Sequence, residues 1–75
     1  MNLVEIYVNY IKQQGTFDFG LDDYEKTGLS DVLESYELEE KYLTKKEKEL
    51  LDCELKQLAE ENDHIRDFEK LNQGD

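Results

Sequence analysis

The stretch from Thr44 to Leu71 reads TKKEKELLDCELKQLAEENDHIRDFEKL, and it contains neither glycine nor proline. Thr44 and Glu47 have the spacing of a capping box, in which each side chain accepts a hydrogen bond from a free backbone N–H group at the start of a helix. Leucines recur downstream at helical intervals. The sequence therefore predicts a long C-terminal helix over about residues 44–72.

One side of this predicted helix is apolar, apart from one amide. The residues on this side recur at intervals of four, three, four and three positions, and they are Leu51, Leu55, Leu58, Asn62 and Ile65. An Asn at such a position often fixes the register of a two-stranded coiled coil, but about two clean heptads are fewer than a coiled coil requires. We therefore predict packing within one chain, and a homodimer through this helix is the alternative.

The N-terminus carries a second helical pattern, with apolar residues on one side at Leu3, Val4, Tyr7, Val8 and Ile11. Asn2 precedes this pattern as a helix cap, and Gly15 ends it. We predict a helix over about residues 2–14. A strand is the alternative, because apolar residues also occupy alternate positions from Val4 to Tyr10. The helix is preferred, since an isolated hairpin is poorly stable and the remaining sequence offers no further strand.

The region between these two helices begins with residues 15–29, which hold three of the four glycines. We predict an acidic, aromatic connecting loop there, with room for one helical turn around residues 22–26. Ser30 is a good helix cap and Asp31 suits a first turn, so an acidic middle helix is predicted over about residues 30–43. The three helices would form a single all-α domain over residues 1–75, since so short a chain supports one small core.

The formal net charge is −11, and most of it lies between Phe17 and Glu40. That segment has nine carboxylates and one base, Lys26, which gives it a charge of −8. The carboxylates are Asp18, Asp22, Asp23, Glu25, Asp31, Glu34, Glu37, Glu39 and Glu40. Such a charge density opposes folding through self-repulsion, so we expect a surface that meets a positively charged partner. An acidic, solvated face without a partner is the alternative.

The predicted middle helix would present its carboxylates as a ladder. Asp31, Glu34, Glu37 and Glu40 recur every third residue, and three residues advance about 4.5 Å along a helix. Since DNA-binding clefts draw affinity from neutralising phosphates, such a ladder mimics a DNA backbone. Tyr36 or Leu38 would add an apolar anchor. The predicted partner-binding residues are Asp22, Asp23, Glu25, Asp31, Glu34, Tyr36, Glu37, Leu38 and Glu40.

These features favour a non-enzymatic module that binds a basic protein, and no residue set argues for catalysis. The predicted function is that of a phage or mobile-element inhibitor, which blocks the nucleic-acid-binding surface of a host enzyme by DNA mimicry. Ala and Arg occur once each and Pro is absent, a bias expected of AT-rich codons. A dimeric adaptor or regulatory protein is the alternative. The negative charge argues against direct binding to nucleic acid.

A third hypothesis is calcium binding in residues 23–34. This stretch matches an EF-hand loop at the first, sixth and twelfth positions, which are Asp23, Gly28 and Glu34. Glu25 and Thr27 depart from the Asp or Asn that is usual at the third and fifth positions. The calcium ligands would be Asp23, Glu25, Thr27, Asp31 and Glu34.

Cysteine and histidine are too few for a metal or redox centre. Cys53 and His64 are the only residues of their kinds, so neither a disulfide within the chain nor a zinc cluster is expected, and no cofactor is predicted. The first eleven residues lack the basic start of a signal peptide, and no apolar stretch is long enough to span a membrane. We therefore predict a cytoplasmic protein, located in the host cytoplasm if a phage encodes it.

Overall fold

The structure is a computed structural model that describes the backbone of residues 2–73 and the side chains of residues 2–65. The described chain forms four α-helices and a short 3₁₀-helix, without any strand, which confirms the all-α prediction. The helices are α1 (Leu3–Gln14), α2 (Leu21–Thr27), α3 (Leu29–Ser35) and α4 (Lys45–Gln73), and the 3₁₀-helix is Glu40–Tyr42. Within residues 2–73, no helix combines the length and apolar character needed to cross a bilayer.

The two long helices form where their local signals predict them. Asn2 accepts a hydrogen bond from the Glu5 backbone at 2.9 Å, and Gly15 ends α1 in the left-handed conformation at φ 66°. Thr44 and Glu47 exchange the two hydrogen bonds of a capping box, at 2.9 and 3.1 Å. The helix prediction for residues 2–14 is therefore correct, and the strand alternative is wrong.

The prediction of a connecting loop over residues 15–29 underestimates its helical content, since the single turn expected around residues 22–26 is part of a seven-residue helix, α2. Gly20 precedes this helix and has no side chain to cap it. Asp63 of α4 supplies the missing acceptor, because its carboxylate receives a hydrogen bond from the Leu21 backbone N–H at 3.0 Å. On the inner side of α2, Tyr24 is fully buried and donates to the Asp52 carboxylate at 2.7 Å. Contacts with α4 thus stabilise α2, whose own sequence contains only weak helix signals.

The predicted middle helix over residues 30–43 is also wrong, because α3 ends at Ser35. Ser30 does not cap the helix; Gly28 precedes it, at φ 86°. At the other end Glu37 adopts φ 60°, and the Leu38 N–H reaches back to the Leu33 carbonyl at 2.9 Å. This is the hydrogen bond of a Schellman motif, which normally places glycine at the left-handed position. The chain then reverses and enters the 3₁₀-helix.

The core lies along one side of α4, where α1 and the short helices cover it. Leu51 and Leu55 are fully buried, which confirms the predicted packing within one chain for this part of the apolar side. The Asn62 amide donates to the Phe17 and Phe19 carbonyls, at 3.1 and 2.9 Å. Asn62 therefore fixes the loop before α2 within its own chain, and the interpretation of this residue as a register device for a coiled coil is wrong.

Candidate functional site

A concave acidic groove forms where the chain reverses after α3. It has a volume of about 420 Å³ and presents four carboxylates around one half-buried leucine. We define the acidic groove by its lining residues, which are Ser30, Glu34, Glu37, Leu38, Glu39 and Glu40. Its residues come from three pieces of backbone: α3, the turn that follows it and the 3₁₀-helix. Helix termination at Ser35 is therefore what makes this surface concave.

Two contacts with the rest of the fold hold the acidic groove in shape. The hydroxyl of Tyr7, a buried residue of α1, donates to the backbone carbonyl of Glu39 at 2.7 Å. Leu38 packs against the core from the floor of the groove. Since the Tyr7 hydroxyl reaches Glu39 from 32 residues away, the position of the groove depends on the tertiary fold.

Glu40 is the one groove carboxylate with charged and polar partners among the described side chains. A hydrogen bond from the Ser30 hydroxyl, together with a smaller contribution from Lys48, lowers the pKa of Glu40. The Lys48 ammonium lies 3.4 Å from the Glu40 carboxylate. This lysine marks one edge of the groove, and the lowered pKa keeps Glu40 ionised under mildly acidic conditions.

The other carboxylates of the acidic segment are exposed. Apart from Asp18, which has a further interaction, and Glu40, they form no ion pair with any side chain of residues 2–65. These residues are Asp22, Asp23, Glu25, Asp31, Glu34, Glu37 and Glu39. Their negative charge is thus not neutralised by the described part of the chain.

The predicted partner-binding residues divide between the groove and its surroundings. The groove brings together Glu34, Glu37, Leu38 and Glu40. Asp31 lies on α3 outside the groove lining, and the three predicted acids of residues 22–25 lie on α2. The predicted partner-binding set lacks two groove residues, Ser30 and Glu39. Ser30 is missing because its good capping chemistry suggests a structural role at the helix start.

The predicted ladder of carboxylates does not exist. Asp31 and Glu34 share α3, but Glu37 lies in the left-handed turn and Glu40 in the 3₁₀-helix. The spacing of one helix face is lost after Ser35, so the carboxylates do not form the regular repeat that the sequence predicts. In its place the chain reversal gathers four carboxylates around a concave surface.

Neither predicted apolar anchor protrudes from the surface. Tyr36 is half-buried, and its hydroxyl lies 3.0 Å from the hydroxyl of Thr16. Leu38 is also half-buried, at the floor of the groove. Tyr42 is the exposed aromatic residue of this region, with 63% of its surface accessible, and the Lys41 ammonium lies 5.3 Å from its ring centroid.

The calcium hypothesis loses its geometric basis. The first, third and fifth ligands of an EF-hand come from a loop that wraps around the ion, whereas Asp23, Glu25 and Thr27 belong to the helix α2. The described residues contain no group of three acids, histidines or cysteines placed to hold a metal ion. The sequence match at three loop positions is therefore fortuitous.

The core contains two titratable side chains, Tyr7 and Tyr24, and each hydroxyl donates a structural hydrogen bond. Burial, with a smaller contribution from the hydrogen bond to Asp52, raises the pKa of Tyr24. Tyr24 therefore stays protonated and keeps donating to Asp52, which in turn lies 3.2 Å from the Lys56 ammonium. Among the described side chains, no polar group is buried without a hydrogen-bond partner.

Comparisons with known proteins give no identification: no family model, no curated protein and no solved structure matches the chain significantly. Function must therefore be argued from the groove itself.

Glu37 occupies a backbone conformation that suits glycine, so Glu37→Gly is expected to stabilise the fold. Relief of the left-handed conformation gains about 1–2 kcal/mol, and the extra freedom of glycine in the unfolded chain costs about 0.5–1 kcal/mol. A net gain of up to about 1 kcal/mol in the free energy of unfolding should appear in urea titrations. The matched control is Glu39→Gly, at φ −84°, which should destabilise the protein. Equal effects of the two substitutions would contradict the strain argument.

Proposed function

We propose that this chain is a non-enzymatic inhibitor that binds the nucleic-acid-binding surface of a basic protein through its acidic groove. The observation that carries the proposal is the gathering of Glu34, Glu37, Glu39 and Glu40 around one concave surface. A lysine or arginine that normally contacts a phosphate would enter this groove and pair with its carboxylates. The mimicry is of phosphate charge rather than of phosphate spacing.

The distribution of charge supports the same proposal. Seven exposed carboxylates of the acidic segment lack an ion pair among the described side chains, so a partner can pair with them without breaking salt bridges inside this chain. Exposed carboxylates of α2 extend the negative surface beyond the groove. Association with a positive cleft would therefore be steered at long range and would weaken with added salt.

The proposed target is an enzyme of a bacterial host, and the inhibitor would be encoded by a phage or mobile element. The amino-acid composition supports this part of the proposal, since the scarcity of Ala, Arg and Pro is expected of AT-rich coding sequences. The adaptor alternative receives less support, because Asn62 bonds the loop of its own chain.

The test is affinity capture followed by displacement of DNA. The chain is immobilised and exposed at low salt to a lysate of a low-GC bacterium, and captured proteins are identified by mass spectrometry. We expect a nucleic-acid-binding protein, which should lose labelled DNA in a mobility-shift assay when the free chain is added.

Two outcomes would contradict the proposal. The first is a captured partner that keeps its DNA at saturating concentrations of the chain. The second is displacement of labelled DNA by the chain that is as strong at high salt as at low salt, over the range of salt concentrations that weakens DNA binding.

A further inference from the structure

Helix α1 exposes an apolar surface opposite the face that it buries. Ile6 and Tyr10 lie one helical turn apart and are 46% and 41% exposed. With Asn9 and Gln13 they line a shallow depression of about 320 Å³. The buried face of the same helix consists of Val4, Tyr7, Val8 and Ile11. No described residue covers the depression, so it is available to a partner.

Helix α1 differs from the rest of the chain in its charge. Residues 2–17 contain one acid, Glu5, and one base, Lys12, and are therefore neutral in a chain of net charge −11. This surface offers no electrostatic attraction to the basic protein that the groove would bind. Electrostatic complementarity therefore does not favour a basic partner on this surface.

The charged and apolar residues of α1 are arranged so that two copies of the helix complement each other in antiparallel orientation. Glu5 and Lys12 line a groove on the α4 side of the helix, to which α4 adds Glu54. Ile6 and Tyr10 line the depression on the other side, and Asn9 lines both. Both pairs are centred at or just after Val8. A two-fold axis through this point would place each Glu5 opposite a Lys12 and each Ile6 opposite a Tyr10, as in an isologous contact.

We propose that α1 is a self-association surface, on which a second copy of this chain docks in antiparallel orientation. Glu5 of each copy pairs with Lys12 of the other, and Ile6 of each copy packs against Tyr10 of the other. A single helix of twelve residues provides less contact than the about 1,200 Å² typical of stable interfaces. The dimer therefore forms at high protein concentration, and low salt weakens it because two strongly negative chains then repel each other.

The test is a charge exchange measured by sedimentation velocity over a concentration series of the full chain. Glu5→Lys alone and Lys12→Glu alone should each weaken the dimer about tenfold, because each creates two like-charge contacts across the two-fold axis. The double exchange Glu5→Lys with Lys12→Glu should restore the dimerisation constant to within about threefold of the wild-type value. Circular dichroism confirms that each variant is helical.

A second variant tests the apolar side of the contact without altering charge. Tyr10→Gln replaces an exposed side chain and should weaken the dimer while leaving the melting temperature nearly unchanged. A chain that remains monomeric at every concentration would overturn the proposal, and would mean that a different protein covers α1. A dimer that resists both single reversals, or that the double exchange fails to restore, would overturn it as well.

Discussion

The double variant Glu34→Lys with Glu37→Lys is expected to bind the captured basic partner at least about 100-fold more weakly than the wild-type chain. Two unit charges 4 Å apart interact by about 1 kcal/mol in water and about 4 kcal/mol near a protein surface. Each reversal turns such an attraction into a repulsion. Both residues are exposed and form no ion pair with the described side chains, so the variant should fold normally.

The matched control reverses the same number of charges elsewhere. Glu49 and Glu60 are exposed residues of α4, outside the acidic segment. The double variant Glu49→Lys with Glu60→Lys changes the net charge equally and should weaken binding only a few-fold, through the loss of long-range attraction. Isothermal titration with the captured partner distinguishes the two variants. Equal losses of affinity would mean that total charge, and not the acidic groove, determines binding.

Leu55→Ala is expected to unfold a large fraction of the protein. Leu55 is fully buried at the centre of the core, and removal of a buried leucine side chain costs about 2–5 kcal/mol. A single core in a chain of this size supplies about 3–5 kcal/mol in total. The loss should appear as a collapse of the melting temperature followed by circular dichroism at 222 nm, a standard helix wavelength.

Leu50→Ala is the control for this substitution, since it makes the same chemical change in the same helix. Leu50 is 49% exposed, so its replacement should cost less than about 1 kcal/mol. The difference between the two variants measures burial directly. If both variants melted at the same temperature, the assignment of the buried side of α4 would be wrong.

The sequence predicts helices well where the signals are local. Asn2 with Gly15 bounds α1, and Thr44 with Glu47 begins α4, as the capping hydrogen bonds confirm. Each of these signals involves residues three to thirteen positions apart. The capping groups lie within or beside the helices that they bound, so the pattern alone locates these helix ends.

The helices in the middle of the chain cannot be predicted in the same way. The residues that bound them are either distant in sequence or atypical for their position. Asp63 caps α2 from forty-two residues away, which no local pattern reveals. Glu37 ends α3 in the conformation expected of glycine, so the sequence gives no sign that the helix stops. Composition correctly identifies the acidic segment, and four of the predicted site residues line the groove. Their arrangement follows from the unpredicted turn.

The shape of the acidic groove depends on the folded chain, because Tyr7 of α1 donates a hydrogen bond to the Glu39 carbonyl. The segment that carries the groove consists of a seven-residue helix, a turn and a three-residue 3₁₀-helix, and pieces of this length are not stable alone in water. A synthetic peptide with the same residues would keep every charge and lose the concave shape. The proposed binding through this surface would therefore require α1 and the core beneath it, and a linear motif would not reproduce it.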